Sequence, residues 1–121
     1  MAGIDEFAER LDSLRRRFAD RLAGRIAEID DALPALTGEG VAVAGAVYTA
    51  HRKVHDLCGI GPTLGFTATG QAARACERIL LQPSRAERGL TEQELARLRE
   101  GLVALRVAAR NDVQSMSTVP E

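Results

Sequence analysis

Tryptophan is absent from this chain of 121 residues, and one tyrosine and three phenylalanines bring the aromatics to only 3%. A core must then be built from Leu, Ile, Val and Ala, which favours packed helices. An excess of charge of one sign is lacking too. Sixteen basic and seventeen acidic residues leave a net charge of -1, without the basic footprint of a nucleic-acid binder. Cysteine is limited to Cys58 and Cys76, with no CxxC spacing between them, and both read as cytosolic thiols. No run approaches the roughly 20 apolar residues required to cross a bilayer. The start, Met1-Ala2-Gly3-Ile4-Asp5-Glu6-Phe7, has neither the basic region nor the apolar stretch of a signal peptide. The expectation is a cytoplasmic protein that does not engage a membrane. Neither GxxxxGK nor a Rossmann glycine fingerprint occurs, which argues against ATP binding by this chain.

What is present is helical periodicity. Hydrophobic residues amount to 45%, and one domain with its own core is feasible at this length. Ile4, Phe7, Leu11, Leu14, Phe18, Leu22, Ile26, Ile29 and Leu33 recur at steps of three and four, the stripe of a long amphipathic helix ended by Pro34. Arg15, Arg16 and Arg17 fall on its other faces and read as a solvated run. A second helix is predicted over about 41–60, with Val43, Val47, Ala50, Val54 and Leu57 as its buried series. Gly59-Ile60-Gly61-Pro62 marks a corner, with Pro62 suited to the first turn of a third helix over about 62–81. Gly65 reads as a point of close packing against the second helix. Gln82 to Gly89 is a polar connection. Thr91 with Glu94 three residues on forms a capping box, Leu90 staples onto Leu95, and Leu95, Leu98, Leu102, Leu105 and Ala109 carry the fourth helix. Four such helices with short loops predict an all-α, antiparallel up-down four-helix bundle over residues 1–112, with 113–121 as a frayed tail.

The chemistry centres on His55. At about 100° per residue, it falls roughly 120° from the centre of the buried series of its helix and projects outward. A neutral imidazole is a competent nucleophile near neutral pH. Gly59 lies one turn on, nearly beneath His55, and leaves room for a large partner to approach. Arg52 lies one turn back and could hold a phosphoryl oxygen. His51 is also one turn from His55, and His at i and i+4 can bind a metal. No HExxH and no third ligand accompany the pair, so no metal site is expected and His51 reads as a flank residue.

The run His55, Leu57, Gly59, Leu64 and Gly65, with Cys76-Glu77 further along, resembles the histidine phosphotransfer (HPt) domains of bacterial phosphorelays. In that family the motif reads His-x-Leu-Lys-Gly, then small residues and Gly, with a Leu-Glu or similar pair in the next helix. The resemblance implies a four-helix bundle whose histidine accepts a phosphoryl group on Nε2, while Glu77 orients the ring through its other nitrogen. It also implies a carrier without autonomous turnover, a monomer, and partners that are response-regulator receiver domains and a histidine kinase. No cofactor of its own is implied, and Mg2+ belongs to the receiver. Cys58 stands where the family usually has a supporting lysine, and Arg52, Lys53 and Arg74 are the candidates to replace it. Two other functions fit the same bundle: the phospho-acceptor domain of a chemotaxis-type kinase, and a helical adaptor in which His55 is incidental.

Overall fold

The computed structural model describes residues 2–117. It is an all-α four-helix bundle: α1 (Ala2–Asp31), a short 3-10 turn (Leu33–Leu36), α2 (Val41–Thr63), α3 (Thr67–Arg85) and α4 (Glu92–Ser117), with no strand among the described residues. The closest packing is α2 against α3 and α3 against α4, and α1 completes the ring on α4 and α2. Consecutive helices that pack together across short connections must run antiparallel. Phe18, Leu22, Ile26 and Ile29 of α1 meet Val47, Ala50, Val54 and Leu57 of α2, Ala73, Cys76 and Leu80 of α3, and Leu98, Leu102 and Leu105 of α4 in a single core. The side chains are those that the three-four periodicity turns inward.

The first third of the α1 stripe is an exception. Ile4, Phe7 and Leu14 are 64%, 68% and 50% exposed, although their spacing predicts burial. Arg15 and Phe18 already lie level with the α2–α3 corner, where Arg15 Nε donates to the Leu64 carbonyl at 2.9 Å and the Phe18 and Phe66 rings sit 5.0 Å apart. The turns before Arg15 therefore project past the α2–α3 corner, and Ile4 and Phe7 are left exposed there. Arg15 is accordingly a tertiary cap on α2 and not part of a solvated run.

The α2–α3 corner also departs from expectation. Pro62 lies in the last turn of α2 and does not open α3, which begins at Thr67. Gly65 has φ +91, Gly65 N–H donates to Pro62 O at 3.0 Å, and Phe66 N–H donates to Gly61 O at 2.8 Å. This is a Schellman ending, in which a left-handed residue satisfies the orphan carbonyls of a helix end. The close packing expected of Gly65 belongs to Gly70, where an added Cβ would lie 2.4 Å from the Pro62 ring. Space left by Gly70 is what lets the proline ring remain in the helix.

Two further boundaries move outward. α3 continues through Pro83 to Arg85 instead of stopping near residue 81, because the proline sits in the final turn, where its φ is still helical. α4 runs to Ser117, with Val113 and Met116 packed on the core, so the tail expected to fray from 113 is helical through 117, and the rest of it (118–121) lies outside the described residues. At the start of α4 the capping box forms as the spacing predicts: Glu94 N–H donates to Thr91 Oγ1 at 3.1 Å, and Thr91 N–H donates to Glu94 Oε1 at 2.8 Å.

Candidate functional site around His55

The rotation of α2 grades its side chains from core to solvent. Measured from Val47 at about 100° per residue, Cys58 falls at about 20°, His51 at about 40° and His55 at about 80°. Burial follows that order: Cys58 is buried, the His51 side chain is 18% exposed, and the His55 side chain is 63% exposed. All three line the seam with α3, from which Glu77 reaches across.

Glu77 gathers them. Its Oε2 accepts a hydrogen bond from His55 Nδ1, and the nitrogen facing a carboxylate must carry the proton, since a carboxylate only accepts. Nε2 is then the nitrogen with a free lone pair, on the exposed side of the ring. The other oxygen, Oε1, lies 3.8 Å from Cys58 Sγ. His51 Nε2 is 3.8 Å from Oε2, and the His51 ring stacks on that of His55 with centroids 6.1 Å apart and planes at 19°. The pairing of His55 with Glu77, which the resemblance implies, is thus present in the geometry. The two histidines converge on this carboxylate, and among the described residues no group of three or more His, Cys, Asp and Glu is arranged to hold a metal ion.

The expected supporting cations separate. Arg52 folds back along α2: its guanidinium lies over the Tyr48 ring at 6.0 Å and donates to the Tyr48 hydroxyl at 3.2 Å. It is not brought to His55. Lys53 pairs with Glu28 of α1 at 3.4 Å. Arg74, on the exposed side of α3 one turn before Glu77, is the one whose charge reaches the cluster, where it partly opposes the rise in the Cys58 pKa. That rise, to about 11, comes first from burial and then from the Glu77 charge. Cys76 is pushed up to about 11 as well, by burial and then by Cys58. Both thiols are neutral near physiological pH, so neither is a nucleophile of note, and Cys58 supplies no charge where the HPt motif has a lysine.

Gly59 is exposed, with open space where a Cβ would stand. Together with His55, Asp56, Ile60, Thr63 and Leu64 it lines a shallow depression beside the imidazole. A rounded partner surface could reach Nε2 through this gap. The flank position that periodicity gives His51 says nothing of what α3 places over it, and Tyr48 carries no local signal as a rest for Arg52.

No family model matches this chain, and no curated protein or solved structure is significantly similar to it.

Proposed function

We propose that this bundle is a histidine phosphotransfer protein of a two-component phosphorelay, carrying a phosphoryl group on His55 between receiver-domain aspartates. The observation that carries the reading is an exposed imidazole whose Nδ1 is held by a partly buried carboxylate from the neighbouring helix. In the transfer step the Nε2 lone pair attacks the phosphorus of an aspartyl phosphate. The N–P bond forms while the P–O bond to aspartate breaks, and the carboxylate departs with the bonding electrons. The Nδ1 proton stays on the ring against Glu77, whose negative charge offsets the positive charge that the imidazole acquires. The reverse sequence delivers the group to a second aspartate. Such transfer is governed by positioning and charge neutralisation, so a carrier with no turnover of its own suffices when the receiver brings the aspartate and its Mg2+.

One observation favours a competing reading, a helical adaptor that only docks partners: the neutral thiol of Cys58 in the position of a supporting cation. Labelled phosphate transfer from phosphorylated receivers separates the two. The carrier reading expects an acid-labile phosphate on the intact protein, none on His55→Gln, and unchanged helical content in that variant, because an exposed side chain contributes little to the core. Retained label on His55→Gln, or none on the intact protein from any receiver or kinase, leaves the adaptor.

A further inference from the structure

His51 Nε2 is a polar atom buried without a hydrogen-bond partner. Such atoms are uncommon in folded proteins and call for an explanation. The acceptor in front of this one is Glu77 Oε2, 3.8 Å away, the same oxygen that holds His55 Nδ1. A carboxylate oxygen has two lone pairs and can accept from both imidazoles. We infer that His51 is a positioning residue for His55: from its partly buried place one turn back on α2, it holds Glu77 in place and thereby keeps the proton of His55 on Nδ1.

Three observations converge on this role. The aligned stack of the two rings sets both imidazoles on one side of α2, facing the same carboxylate. Glu77 is otherwise contacted there by the Cys58 thiol, at a sulfur distance of 3.8 Å that makes a weak restraint. Arg74 acts on the thiol through its charge, and among the described residues it forms no ion pair with Glu77. A glutamate restrained only by a thiol and by the exposed imidazole it is meant to orient would share the freedom of that imidazole. A second imidazole, partly buried and with its Nε2 out of solvent, removes it.

The part of the inference that concerns phosphoryl transfer rests on the proposed function, whereas the part that concerns the tautomer does not. The test therefore has two readouts, each on the intact protein, His51→Gln, and the apolar replacements His51→Phe and His51→Leu. Nitrogen-15 NMR of the imidazoles, at a pH where the rings are neutral, reports which nitrogen of His55 bears the proton. Intact protein and His51→Gln, which keeps a donor, are expected to hold the Nδ1–H form. In His51→Phe and His51→Leu the Nε2–H form should rise severalfold. Phosphoryl transfer from a receiver should slow by about tenfold in the two apolar variants, less than the full contribution of a correctly protonated group because only part of the His55 population changes tautomer, and stay within about twofold in His51→Gln. An unchanged His55 tautomer in both apolar variants overturns the inference even if transfer is robust. Conversely, the tautomer shift without phosphate on the intact protein keeps His51 as a positioning residue and removes the phosphorelay reading.

Discussion

Among single residues, charge around the imidazole is unevenly supplied, and that imbalance decides which substitutions matter. Arg74 acts on Cys58 beside Glu77, while Arg52 is occupied by Tyr48 and Lys53 by Glu28. Arg74→Ala is therefore expected to slow phosphoryl transfer, and Arg52→Ala to leave it within about twofold, the sequence-based case for Arg52 notwithstanding. Cys58→Lys should speed transfer by about three- to tenfold, because a long side chain from that position can carry its ammonium out to Glu77 and the developing phosphoryl charge. Rates of label transfer from one phosphorylated receiver measure all three. Slowing by Arg52→Ala alone would place the phosphoryl group on the Tyr48 side of His55 and contradict the charge assignment.

At the scale of the element, helix ends carry the testable energetics. The start of α4 joins the capping box to Arg88, whose guanidinium donates to both Glu94 oxygens at 2.8 and 3.1 Å. Those bonds first, and the Thr91 N–H after them, outweigh partial burial and lower the Glu94 pKa from 4.5 to about 2. A folded value below the unfolded one gives stabilisation that is complete above pH 4.5 and is lost as pH falls toward 2. Urea unfolding of the intact protein and Glu94→Gln should accordingly show a stability gap that narrows through that window. Thr91→Ala should cost about 1 kcal/mol near neutral pH. The start of α3 is capped from elsewhere: Asp112 of α4 accepts from both the backbone N–H and the hydroxyl of Thr69, each at 2.7 Å. With Thr69 buried, Asp112→Ala strands two donors and should cost about 1–3 kcal/mol in the same measurement. A loss below a few tenths would mean that water replaces the carboxylate.

For the whole molecule, one apolar stripe changes meaning along its length. Phe18 packs against Phe66 in the core, whereas Phe7, eleven residues earlier on the same stripe, stands clear of it. Phe18→Ala should then destabilise by about 3–5 kcal/mol, while Phe7→Ala stays within about 0.5 kcal/mol. Denaturant midpoints at equal slope would check both. A large loss at Phe7 would show that the overhanging turns are covered in solution.

Elements set by neighbours in sequence were legible without the fold. Steps of three and four placed the first, second and fourth helices and their inward faces, Thr91 and Glu94 announced the start of α4, and helical rotation put His55 outside. Each depends on groups within about a turn of one another, where backbone geometry is repeated and distances follow from counting. What counting could not supply is how far the neighbours extend and which distant groups meet. Arg15 with Leu64 and Asp112 with Thr69 are 49 and 43 residues apart, and the exposure of Phe7 depends on where α2 and α3 stop. Pro62 remains inside α2 because Gly70 on another helix leaves its ring a space. His51 acquires its place by the same route: its angle on α2 was available from the sequence, but only packing of α3 buries Nε2 and sets the Glu77 carboxylate in front of it.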